Sequence, residues 1–81
     1  MTALLFALGE KFPDLPRSVI LGASYLRKLP EFRGVERDPQ FGYDARFRDE
    51  THRYYHGTAD NDEHAVIIAA CRWQKINFSV G

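Results

Sequence analysis

Between Tyr43 and Trp73 the polar and apolar positions fall into patterns that predict strand, turn, strand and helix. Tyr43, Ala45 and Phe47 alternate with Asp44, Arg46 and Arg48, the period of a strand with one buried face. Asp49 to His52 supply turn residues, and Arg53 to Ala59 make a second run rich in Tyr and Thr. Asp60 stands where a helix N-cap belongs, with Glu63 three residues on as the partner of a capping box. From Ala65 the chain is apolar through Cys71, so a helix running to about Trp73 is expected. Its acidic first turn, Asp62 and Glu63, complements the helix dipole. Three consecutive β-branched residues, Val66 to Ile68, oppose it and keep a strand open over 65–73.

The flanks are read in the same way. Thr2 caps a first short helix, with Leu4, Leu5 and Leu8 on one face and Gly9 near its end. Two prolines make Lys11 to Pro16 a connection, and Asp14 and Pro16 suit the start of a second helix. Val19, Ile20, Ala23 and Leu26 recur at helical spacing, and Pro30 stops the run. Gly22 costs such a helix about 1 kcal/mol relative to Ala, and the pattern over 18–26 also fits a buried strand. Glu31 to Phe41, with Gly34, Pro39 and five charges, reads as a surface loop. Ile76, Phe78 and Val80 alternate with Asn77 and Ser79, a last strand that joins the hairpin. The expectation is one α+β domain over residues 1–81. Two short N-terminal helices precede a β-β-α-β unit, whose small antiparallel sheet packs on one helix.

Composition narrows the class. Burying roughly 60–65% of its unfolded surface, a chain of 81 residues has a narrow stability margin. With 44% hydrophobic and 14% aromatic residues it still builds a core. Eleven basic and eleven acidic side chains cancel, which argues against bulk-charge attachment to nucleic acid. Eight of the eleven basic residues are Arg, whose planar fork favours an interaction surface. The only cysteine is Cys71, so no disulfide forms within the chain, as in a reducing compartment. Met1 to Gly9 is too short for a membrane span and lacks a basic leader region. A cytoplasmic protein without membrane attachment is expected.

Candidate chemistry centres on the hairpin. With Tyr43, Ala45, Phe47 and Tyr55 inward, Arg46, Arg48, Tyr54 and His56 point outward and form the candidate partner-binding set. Arg planes beside aromatic rings stack on bases or anchor a protein partner. His52 and His56 on one strand would lie roughly 13 Å apart, too far to share a metal ion. His64 and Cys71, two helical turns apart, would need further ligands, so no metal site and no cofactor are expected. Cys71 on the apolar helix face reads as an inert core residue, and Trp73 as filling the core edge. Arg27, Lys28, Arg33 and Arg37 form the densest basic stretch, diluted by Glu31, Glu36 and Asp38. No motif fixes a catalytic geometry. Histidine as base with Arg46 or Arg48 as phosphate clamp is the arrangement a toxin-like ribonuclease would need.

The order helix, strands, then a helix after Gly57-Thr58-Ala59 loosely resembles a double-stranded-RNA-binding domain. Two departures stand against membership. The final helix starts with Asp62, Glu63 and His64 where such domains are Lys-rich, and one strand of the three is missing. In size and β-β-α-β core the chain is also similar to small phage proteins that inhibit host machinery, anti-CRISPR proteins among them. That resemblance carries over no residue. It implies an inhibitor of a host nucleic-acid-processing complex as the sharpest version of the leading expectation, a non-enzymatic module docking on another protein. The alternatives are a nucleic-acid-binding domain using the same face, a toxin-like ribonuclease, and a homo-oligomer that buries an edge strand.

Overall fold

In the computed structural model, which describes residues 1–77, the fold is α+β. The order is α1 (Thr2–Lys11), α2 (Val19–Arg27), β1 (Phe32–Asp38), β2 (Gly42–Arg48), β3 (Tyr54–Ala59) and α3 (Asp62–Trp73). Three strands thus precede the long helix. The strand expected over Ile76 to Val80 is not formed at Ile76 and Asn77, and its remainder lies outside the described residues.

The added strand is β1, which occupies the stretch expected to be a surface loop. It pairs antiparallel with β2, giving the order β1-β2-β3. Phe32 faces Phe47 and Val35 faces Ala45, so Arg33 and Gly34 together oppose a single residue of β2. This β-bulge turns Phe32 and Val35 to the same face although they are three residues apart. Gly34 takes φ +103, a conformation that only glycine adopts readily. Asp38 then turns the chain, its Oδ1 accepting from Gln40 N at 2.7 Å and Phe41 N at 3.0 Å.

Both ambiguous stretches are helices, because their caps and packing outweigh β-branching. Ser18, rather than Asp14 or Pro16, caps α2 by accepting from Leu21 N at 3.4 Å. Asn61, not Asp60, caps α3, accepting from His64 N at 2.8 Å, which leaves Glu63 in the first turn rather than in a capping box. Met1 occupies the N-cap of α1 with no side-chain bond, so Thr2 is already helical. The end of α3 is a Schellman motif: Lys75 N donates to Arg72 O and Ile76 N to Cys71 O, at 3.2 and 2.9 Å.

The helices cover one face of the sheet. Leu5, Leu8, Leu26, Phe47, Val66, Ile67 and Cys71 are the large fully buried members of a continuous core, joined by Ala45 and small residues of α3. Where α3 crosses β3 the approach is backbone to backbone, and a Cβ on Gly57 would overlap Ala65 and Ala69. Five rings form a ladder through this core. Phe32 meets Phe47 edge-on at 5.4 Å, Phe47 stacks on Trp73 at 5.0 Å, Trp73 on Phe12 at 5.8 Å, and Phe12 meets Tyr25 edge-on at 6.3 Å.

Candidate functional site

Among the described residues no helix lies on the opposite face of the sheet, and strand alternation decides which side chains it carries. Arg46 lies across from His56 and Arg48 across from Tyr54. The four candidate residues are therefore brought together as two adjacent cross-strand pairs. Tyr54 is 48% exposed, His56 is exposed, and the two arginines are half-buried.

Two further residues belong to this face. Glu36, from the strand read as a loop, accepts from Arg46 Nη2 at 2.6 Å. Asp44, next to Arg46 on the same face of β2, accepts from His56 Nδ1 at 3.1 Å. Both contacts run diagonally between strands, so only the register brings them about. The alternation Asp44, Arg46, Arg48 was a usable signal for Asp44; nothing local marked Glu36.

Arg48 differs from its neighbours. No carboxylate lies within salt-bridge reach of it among the described residues. Its Nη2 donates to His52 Nδ1, and its guanidinium stands 5.6 Å from the centre of the Tyr54 ring. The Nε atoms of Arg46 and Arg48 are buried without a hydrogen-bond partner. Asp49, next in the chain, is committed elsewhere. Its Oδ1 accepts from Thr51 N, Thr51 Oγ1 and Arg53 N at 2.9, 2.6 and 3.0 Å, and its Oδ2 from the Tyr55 hydroxyl at 3.0 Å. The Thr51 hydroxyl contributes most to lowering its pKa to about 2, with Arg53 N–H and the Tyr55 hydroxyl adding to it. Lys75 Nζ in turn donates to the Tyr55 hydroxyl at 2.7 Å, tying this turn to the end of α3.

The other candidates separate. His52 sits in the β2–β3 turn with φ 68, bonded to Arg48, so it does not share a strand face with His56. Cys71 is buried in the core, which pushes its thiol up to about 12, so it is an inert thiol. The basic stretch is dispersed: Arg27 pairs with Asp62 at 2.8 Å, Arg33 donates to Pro30 O, and Arg37 lies over the Tyr43 ring. An open recess of about 290 Å³ is lined by Glu31, Asp49, Glu50, Trp73 and Gln74. Phe47 and Phe12 both stack on Trp73, so its ring faces serve the core.

No protein-family model, curated protein or solved structure matches the chain. No helix among the described residues is long and apolar enough to cross a membrane. With β1 present, three strands lie between α2 and α3. The first turn of α3 is acidic, and its Asp62 is paired with Arg27.

Proposed function

We propose that this chain is a small non-enzymatic module that docks on another protein through the open face of its sheet, with Arg46, Arg48, Tyr54 and His56 in the contact. The observation that carries this reading is the pair of half-buried Arg48 and exposed Tyr54, bordered by the Arg46–Glu36 ion pair and the His56–Asp44 hydrogen bond. Interfaces concentrate their energy in such Arg and Tyr side chains, ringed by contacts that are nearly neutral energetically. Mixed charge favours a protein over a polyanion, since Glu36 and Asp44 share the face with the two arginines.

Affinity capture from cell lysate with the tagged protein, with and without nuclease, tests the reading. The expected result is a partner that survives nuclease and is lost with Arg48→Ala or Tyr54→Ala, while either variant melts close to the parent. Arg46→Ala is expected to weaken capture in the same way. Loss of stability with binding per folded molecule intact would remove this face from the proposal. The identity of the captured protein decides whether it belongs to a nucleic-acid-processing complex.

Direct nucleic-acid contact through the same face is a second reading, favoured by the Arg48 guanidinium beside the exposed Tyr54 ring, groups on which bases stack. It requires an affinity that falls steeply with salt as phosphate contacts release counterions. Binding that ignores salt, or none at all, disposes of it. A ribonuclease would use His56, held through Nδ1 by Asp44, as base. Its nearest clamp, Arg46, is engaged by Glu36. Intact RNA after long incubation with the pure protein rules that activity out.

A further inference from the structure

Resting on the docking reading above, we infer that the β2–β3 turn is built to present Arg48 as a receptor for one carboxylate of the protein partner. Arg46 and His56 each have a carboxylate partner within the face. Glu36 answers Arg46 and Asp44 answers His56, whereas Arg48 has no carboxylate within reach among the described residues. The acid beside it in the chain does not fill the gap, because both oxygens of Asp49 are occupied in holding the turn.

The same turn orients the guanidinium. Asp49 N donates to Arg53 O and His52 N to Asp49 O, each at 3.0 Å, closing a three-residue loop. That loop ends in a left-handed residue, a position where glycine or asparagine is the usual occupant. Here it is His52, with φ 68, and its ring nitrogen accepts from Arg48 Nη2. A bare imidazole nitrogen accepts one hydrogen bond and brings no charge, so it fixes the arginine without neutralising it. The Tyr54 ring beside the guanidinium limits it further and offers an apolar surface of its own. The matching group is an Asp or Glu side chain with an apolar neighbour. A phosphodiester strand fits less well, because its next phosphates would meet the carboxylates of Asp44 and Glu36.

The inference is tested without the partner. In ¹⁵N-labelled protein the Arg48 Nε–H resonance is followed while N-acetyl-aspartyl-phenylalaninamide is added, with inorganic phosphate and a short single-stranded RNA as parallel arms. The dipeptide is expected to move the resonance saturably, and Arg48→Lys, which keeps charge but not the fork, is expected to lose the response. His52→Gly is expected to melt no lower than the parent yet bind the dipeptide roughly two- to tenfold more weakly, the cost of ordering a freed side chain. His52→Asn, which tolerates the left-handed backbone, serves if the glycine variant does not fold. No shift with the dipeptide, unchanged affinity in the His52 variants, or tighter binding of phosphate or RNA would each overturn the inference. A partner captured through Arg48 and Tyr54 but indifferent to His52 would leave the docking face standing and remove only the role of the turn.

Discussion

Phe47 of β2 and Trp73 of α3 stack with ring centres 5.0 Å apart and planes 8° from parallel, fastening the end of the long helix to the middle of the sheet. Phe12 lies on Trp73 at 5.8 Å, so one side chain joins β2, α3 and the connection after α1. Trp73 is partly buried, so Trp73→Ala is expected to cost up to about 3 kcal/mol, the low end for a buried aromatic, still a sizeable part of the stability a chain this size has. Denaturant unfolding followed by circular dichroism reads the loss. A change within 1 kcal/mol of the parent, on the order of a surface substitution, would show that the ladder is not what joins these layers.

Gly57 tests the crossing of α3 over β3. An added methyl would meet backbone atoms of Ala65 and Ala69, which move only if the helix moves. Gly57→Ala is expected to destabilise by roughly 1–3 kcal/mol or more through overpacking. The melting temperature should fall correspondingly; an unchanged or higher value would mean that α3 shifts freely on the sheet.

Asp49 gives the fold an acid-sensitive turn. Its pKa is lowered from 3.8 to about 2, so its carboxylate stabilises the folded chain fully above the unfolded value. That stabilisation is lost as pH falls from about 4 through about 2. Melting curves between pH 5 and about 2 should therefore show the parent converging on Asp49→Asn at the acid end. Parallel curves across that window would contradict the assignment.

Arg72 guards the outer edge of β3. Its Nη1 donates to His56 O at 2.8 Å, occupying a carbonyl that a further strand would use. Exposed edges pair with other chains unless charge or cover blocks them. Arg72→Ala is expected to self-associate more than the parent as concentration rises, which sedimentation velocity measures directly. Identical profiles for the two would show that this contact does not protect the edge.

Much of the architecture is written locally. Alternation at Tyr43–Arg48 marks β2 and assigns Ala45 and Phe47 inward, Arg46 and Arg48 outward, because a strand reverses its side chains at every residue. The acidic turn at Asp62 and Glu63 and the apolar run after it mark α3, with its cap one residue beyond the expected position. The four candidate residues of the outer face were legible for the same reason. Tertiary structure decided the rest. The bulge at Arg33 and Gly34 sets Phe32 and Val35 on one face at a spacing of three, erasing the period of two by which β1 would be recognised. Helix prevailed over strand at Val19–Arg27 and Asp62–Trp73 because the caps at Ser18 and Asn61 satisfy backbone donors and the covered faces join the core. Glu36 reached Arg46, and Asp44 reached His56, only once the strands were in register. Local pattern specifies which way a side chain points; which charges meet across strands depends on contacts distant in the chain, and those are set by packing.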